Sequence, residues 1–238
     1  MSSITWDHSL LKLVNISYDL VASSIEGGRA LNGLTGAIDF SGGGLWRMSA
    51  SVELYQPEEH RAWFKMASIL NGGVNSINMP FRTDRINMDT TVLAFESDLV
   101  GDFSVGASTI YIRVQGPSDG LLMQEGMIFG LNHSSGGLRQ RVYLVKHIIS
   151  ATVHPTLDYT IYNVAIRPTL RADASNDDPV DWSRPACRMR LPSGATMRWD
   201  VTAEQFWLAQ NSIELIEALP VEDPPYDEVV AVYAAPST

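Results

Sequence analysis

The sequence predicts a mainly β chain with one flanking helix, an α+β arrangement in which a small β-barrel interrupts a first β-rich domain. Three observations predict it. The stretch 44–82 reads strand, helix, strand. Residues 109–166 then carry short β-type runs split by turns, with no helical period among them. After residue 185 the alternation of apolar and polar residues resumes. This layout places residues 1–97 and 185–238 in one discontinuous domain and residues 98–184 in an inserted barrel. The number of β-type runs suggests about five strands for that barrel.

The central stretch is the most regular. Trp46, Met48, Ala50, Val52 and Leu54 alternate with Arg47, Ser49, Ser51, Glu53 and Tyr55. A period of two marks a strand with one buried face. At Gln56-Pro57 the period changes. Pro57 suits a first helical turn, where its missing N–H costs nothing. Glu58 and Glu59 sit at the positive end of the helix dipole. Ala62, Trp63, Met66, Ala67 and Leu70 fall on one helical face. Asn71-Gly72-Gly73 ends the helix with residues that accept the left-handed conformation. Residues 74–81 return to a strand.

Before this unit, residues 1–24 place Trp6, Leu10, Leu11, Leu13, Val14 and Ile16 among Ser and Asp, a strand rather than a helix. Residues 23–36 are rich in Gly and Ser and read as a loop, with a short strand at 37–40. The glycine run 42–44 is not a phosphate loop, because no Lys-Ser/Thr follows and the next element is a strand. After the unit, residues 97–102 read as a domain boundary. Strands are expected at 109–114, 126–131, 141–150 and 159–166, with turns at 116–120 and 134–137 and a loop over 171–181. The last strands are expected at 187–191, at 194–201 with Met197 and Trp199, and in 206–217 with Phe206, Leu208, Ile213, Leu215 and Ile216. From residue 219 prolines and acids alternate, and an extended tail follows. No internal repeat is present.

Composition narrows the function. Of 238 residues, 45% are hydrophobic, enough for a full core, and 18% are charged, too few for a disordered chain. No apolar run reaches the roughly 18 residues that span a bilayer, so no membrane insertion is expected. The first residues lack the basic head and apolar core of a secretory signal, so synthesis in the cytosol is expected. Accordingly Asn15-Ile16-Ser17 and Asn132-His133-Ser134 are taken as chance matches to a glycosylation pattern. The single Cys187 excludes an internal disulfide and a cysteine zinc site. A net charge of −10 argues against specific nucleic-acid binding, although an acidic wall would let a phosphate backbone pass without sticking.

No catalytic constellation emerges. Of the five histidines, His8, His60, His133, His147 and His154, His60 falls in the first helical turn and His147 in an apolar strand run, both structural readings. His133 lies beside Ser134 and Ser135, but neighbours on a turn do not make a nucleophile–base pair, which also needs an orienting acid. Asp173, Asp177, Asp178 and Asp181 form the densest acid cluster. A calcium loop needs a glycine at its bend, and none lies between them, so a solvated loop is expected. Glu222, Asp223, Asp227 and Glu228 in the tail are read the same way. Trp46, Trp63 and Trp199 fall on apolar faces, where core packing accounts for them before a sugar platform does. No catalytic, cofactor-binding or metal-binding residue is expected, and a cell-wall hydrolase lacks its acid–base pair.

The order of segments resembles distal tail, or tail-tip, proteins of long-tailed bacteriophages. The resemblance rests on the strand leading to Arg61-Ala62-Trp63-Phe64, on Leu70-Asn71-Gly72-Gly73, and on the strand ending Pro80-Phe81-Arg82. Further pieces are Glu125-Gly126-Met127-Ile128-Phe129-Gly130, similar to a Gly-Asp strand that opens the family's barrel, with Glu before Gly instead of Asp after it. Tyr143-Leu144-Val145, Ile166-Arg167-Pro168-Thr169-Leu170-Arg171, Trp199-Asp200 and Ile213-Glu214-Leu215-Ile216-Glu217-Ala218 follow in order. The resemblance implies a tail-tube-like β-sandwich flanked by one helix and carrying an inserted β-barrel. It implies a homo-oligomer, a hexameric ring joining the tail tube protein to other tail-tip proteins around the channel through which DNA leaves, located at the tail tip of the virion. The glycine-rich 23–44 segment and the acidic tail depart from the pattern and leave the position in the tail open. The alternative is a carbohydrate- or receptor-binding module, with Tyr111, Phe129, Tyr143, Tyr159 and Tyr162 on the barrel as candidate contacts.

Overall fold

The computed structural model describes residues 5–7, 9–21, 24–26, 37–39, 44–82, 95–116, 123–133, 140–154, 157–199 and 209–219. In chain order the strands are β1 (Leu13–Val21), β2 (Ser24–Glu26), β3 (Ala37–Asp39), β4 (Leu45–Leu54), β5 (Ser76–Pro80), β6 (Ser97–Leu99), β7 (Thr109–Gln115), β8 (Ile128–Leu131), β9 (Arg141–Val153), β10 (Tyr159–Arg167), β11 (Val180–Asp181), β12 (Ala186–Arg190) and β13 (Ala209–Glu217). One helix, α1 (Pro57–Leu70), and a 3-10 turn (Asn71–Gly73) separate β4 from β5. The protein is mainly β with one flanking helix and a nearly closed small barrel, as the sequence predicts. The expected strand at 206–217 is described from Ala209 onward; the tail acids and His8 lie outside the described residues.

The chain divides into two compact units. The first comprises Met1–Val21, Trp46–Met79 and Arg188–Thr238, and the second comprises Ala22–Leu45 and Pro80–Cys187. The divisions therefore fall near residues 79 and 187, and residues 22–45 go with the second unit. The stretch 97–102, expected as a boundary, lies inside the second unit, because β6 pairs with β7 from Ser97↔Val114 to Leu99↔Ile112.

In the first unit the strands run β1-β4-β13-β12-β5 in one five-stranded sheet. The alternation in β4 has the expected phase: Trp46, Met48, Ala50, Val52 and Leu54 are all buried. β13 pairs antiparallel with β4, placing Ile213 opposite Ala50 and Leu215 opposite Met48. Such buried aliphatic side chains each contribute about 1.5–3 kcal/mol. The inward end of β13 carries a carboxylate: Glu217 is 1% exposed, and its Oε2 accepts the Trp46 N–H at 3.2 Å.

Helix α1 starts at Pro57, and the carboxylate of Glu59 accepts the N–H groups of Tyr55 and Gln56 at 2.6 and 2.9 Å. These bonds bind the chain ahead of the helix to its first turn. The buried face is Trp63, Met66 and Leu70. Asn71 caps the end in the left-handed conformation, φ 41°, and returns its N–H to Ala67 O. Gly73 then passes so close to the neighbouring backbone that an added Cβ would lie 2.5 Å from Leu191 O.

Residues 194–199, expected as strand, are turn and coil. Side chains of the helix explain this. Trp63 Nε1–H donates to Arg198 O at 3.1 Å, and Trp199 Nε1–H donates to His60 Nδ1 at 3.0 Å. The segment is thereby fastened to α1 rather than to a strand.

In the second unit six strands run β11-β8-β9-β10-β7-β6. The two end strands approach each other. Asp98 and Pro179 form an antiparallel bridge, Leu99 N–H donates to Asp178 O at 3.0 Å, and Asp177 N–H donates to Leu99 O at 2.9 Å. The barrel is nearly closed. It has six strands where about five were expected, because β6 and β11 are too short to show alternation. Ile110, Ile112, Phe129, Tyr143, Tyr162 and Trp182 are among its core residues.

Two substitutions check the first unit. Trp63→Ala is expected to lower the unfolding free energy by about 3–5 kcal/mol. Gly73→Ala, which meets Leu191 O at a φ of 93°, is expected to lower it as well. Urea denaturation reads both; an unchanged midpoint would show that the packing around α1 is not as described.

Candidate functional site

Each described histidine is hydrogen-bonded: His60 accepts Trp199 Nε1–H. His133, expected beside a turn, is 2% exposed. It belongs to a chain of hydrogen bonds. Arg171 N–H donates to Tyr143 Oη at 3.1 Å, and the same oxygen lies 2.8 Å from His133 Nε2. The other ring nitrogen, Nδ1, faces Asp173 O at 3.1 Å and must donate, since a carbonyl only accepts. Nδ1 therefore carries a proton. Burial pushes the His133 pKa below the usual value, Arg141 adds to that, and the Asp173 carbonyl and the charges of Asp178 and Asp173 oppose it. His147 is exposed and pairs with Glu125 at 2.5 Å, and Glu125 also accepts Ile148 N–H at 3.0 Å. His154 Nδ1 accepts Leu157 N–H at 3.0 Å, and its ring lies 4.6 Å from that of Tyr159.

The acid cluster lies on a loop as expected, with Asp173 and Asp177 exposed, but Asp178 is buried and Asp181 partly so. Asp173 accepts Val105 N–H at 2.8 Å, and Asp178, only 4% exposed, accepts Ser175 N–H at 2.7 Å. Asp177, at a positive φ of 65°, meets Arg113 at 2.8 Å, and Arg113 meets Asp98 at the same distance. Asp181 is partly buried, which raises its pKa; the N–H groups of Arg184 and Ser183, the Ser183 hydroxyl and Gln140 outweigh that and hold it below the usual range. These carboxylates fasten the 171–184 segment to the barrel. Among the described residues no group of three or more His, Cys, Asp and Glu side chains is placed to hold a metal ion.

The aromatic residues considered for a sugar platform are divided. Phe129, Tyr143 and Tyr162 are core, Tyr159 is half-buried, and Tyr111 is exposed, 6.2 Å from Phe103. The alternation that makes a strand turns Phe129, Tyr143 and Tyr162 inward and leaves Tyr111 and Tyr159 on the outer side of β7 and β10.

The first unit carries the more distinctive surface. Trp46 and Trp63 are buried as expected, but Trp199 is 47% exposed, so the expectation of a core tryptophan there is corrected. Its indole stands edge-on to Phe64 at 5.3 Å and to His60 at 5.8 Å, forming an aromatic patch on the outer face of α1. The signal was present in the adjacent pair Trp63-Phe64, of which only one can face inward on a helix. The sheet edges also differ. At β5, Thr5 forms a parallel bridge to Asn78, and Trp6 N–H donates to Asn78 O at 3.2 Å. The outer edge of β1 has no strand partner among the described residues. Along β1 the apolar side chains Val14, Ile16 and Leu20 are only half-buried, between exposed Asn15, Ser17 and Asp19.

Comparison of the sequence with protein-family models and with curated proteins found no match. Among the described residues no helix is long and apolar enough to cross a membrane.

The His133 chain predicts a pH dependence. The unfolded chain takes up the proton first, near the ordinary value of 6.5, because burial lowers the folded pKa. Stability is therefore full above that value and declines as pH falls below it, until the folded form protonates too. His133→Gln keeps one acceptor and one donor and removes this component. Urea titrations at neutral and mildly acid pH, native against variant, are expected to differ in slope; equal slopes would contradict a buried neutral ring.

Proposed function

We propose that this chain is a structural, non-enzymatic tail-tip protein of a long-tailed bacteriophage. Its copies form a ring, a hexamer, that joins the tail tube to the tip and surrounds the channel by which DNA leaves. The observation that carries this reading is the nine-residue edge strand β1, whose outer side is joined by no strand among the described residues and whose apolar residues are half-buried. An open edge is a template for another chain. A second copy laid against it would finish the burial of Val14, Ile16 and Leu20. A head-to-tail contact of this kind, repeated around an axis, closes a ring.

Three further features support the reading. The first unit is assembled from both ends of the chain with the barrel between them in sequence, the layout that the resemblance implies. The patch of Phe64, Trp199 and His60 offers a second apolar contact, suited to the tail tube protein or another tip protein. The net charge of −10 gives a wall that a phosphate backbone passes without binding. The described histidines are engaged in structural hydrogen bonds, which fits a scaffold rather than a catalyst.

Native mass measurement of the purified chain, alone and with tail tube protein, tests the ring. The native chain is expected to assemble, and Ile16→Lys, which places a charge on the open edge, is expected to stay monomeric with an unchanged circular dichroism spectrum. Assembly undisturbed by the lysine would remove β1 from the interface. Antibody-labelled microscopy of particles is expected to mark the tail tip; label elsewhere, or no label on particles, would overturn the assignment.

A further inference from the structure

The sequence carries one more strand-like segment beyond β13. Residues 220–238 lie outside the described residues, and their composition falls into two parts. Residues 220–228 hold Pro220, Pro224 and Pro225 with the acids Glu222, Asp223, Asp227 and Glu228. Residues 229–235 read Val-Val-Ala-Val-Tyr-Ala-Ala, an unbroken apolar run closed by Pro236. Valine and tyrosine favour a strand. A solvated tail gains nothing from such a run, and an apolar β-type segment without a partner invites aggregation. Acids directly ahead of it act against that, as charges flanking an apolar strand do.

Strand β1 has the complementary need. Among the described residues no strand joins its outer side, and its apolar Val14, Ile16 and Leu20 are only half-buried. An added strand would pair the outer N–H and C=O groups and cover those side chains in one step. Charge favours one orientation. Lys12 is exposed immediately before β1, and Asp227 and Glu228 immediately precede the apolar run. A parallel alignment sets these acids beside Lys12, whereas an antiparallel one brings them toward exposed Asp19.

The sheet also says which copy supplies the segment. Its other edge, β5, is covered by Thr5 and Trp6, so β1 of a neighbour cannot be met there. A head-to-tail contact needs a second, different surface, and a terminal segment supplies one. The proline-rich spacer 220–227 spans about 25 Å at about 3.1 Å per residue, enough to leave the sheet that holds β13. We propose that residues 229–235 of one copy add as a parallel strand to the outer side of β1 in the next. The inference rests on the ring reading and names the contact that closes it.

Two variants of the full chain test it by mixing. Ile16→Lys blocks the receiving edge and keeps the tail; Val230→Pro with Val232→Pro keeps the edge and removes two strand donors from the tail. By native mass measurement each alone is expected to be a monomer with an unchanged circular dichroism spectrum. An equimolar mixture is expected to give a one-to-one dimer that grows no further, because its one good tail fills its one good edge. A capped peptide of residues 226–236 is expected to bind the proline variant saturably and protect amides of residues 13–21, and not to bind Ile16→Lys. A proline variant that assembles as the native chain does would overturn the inference and leave the ring standing. Monomers alone in the mixture, beside a native chain that assembles, would overturn it as well. A native chain that stays monomeric would remove the ring and this inference together.

Discussion

The antiparallel pairing of β4 with β13 is the constraint on which the first unit depends. Its bonds join residues as far apart in sequence as Trp46 and Glu217, a separation of 171. The two strands are inner members of the sheet, and each presents its apolar residues to the same core. Closing so long a loop costs little more than closing a short one, because the entropy of closure grows only logarithmically with length. A whole barrel can therefore stand between the two strands without undoing their pairing. The same pairing requires both ends of the chain before the sheet exists, and this leaves β1 as an outer strand.

The two units solve the edge problem differently. The second brings β6 against residues 177–179, so that its end strands meet through Leu99, Asp177 and Asp178. Its polar groups are arranged to hold the connecting segment, with Asp173, Asp178 and His133 each bonded to the backbone. The first unit covers β5 with Thr5 and Trp6, and among the described residues no strand joins the outer side of β1. With β5 covered, a head-to-tail contact would have to seat β1 on a different surface of the next copy, whereas pairing of β1 with β1 would be two-fold.

Much of the fold was legible in the residues. The phase of β4 could be read from Trp46 to Leu54, since a half-buried strand leaves a strict alternation. The helix showed itself in Pro57, in the acids after it, and in the cap at Asn71. The shortest strands were not legible: β6 and β11 have three and two residues and depend on partners distant in sequence. Trp199 was misread for a related reason. Alternation near it suggested a strand, but the side chains of Trp63 and His60 hold that segment on the helix instead. The burial of His133 was invisible locally, because its partners Tyr143, Arg171 and Asp173 come from other parts of the barrel.

The account stands on β1 as a strand completed by another copy, and amide hydrogen exchange compares its two states directly. Exchange along residues 13–21 is to be measured in the dilute chain and in the concentrated, assembled chain. The account predicts that alternate amides of β1, those on its outer side, exchange readily in the dilute chain and become protected on assembly. Amides of β1 that exchange equally in both states would contradict it.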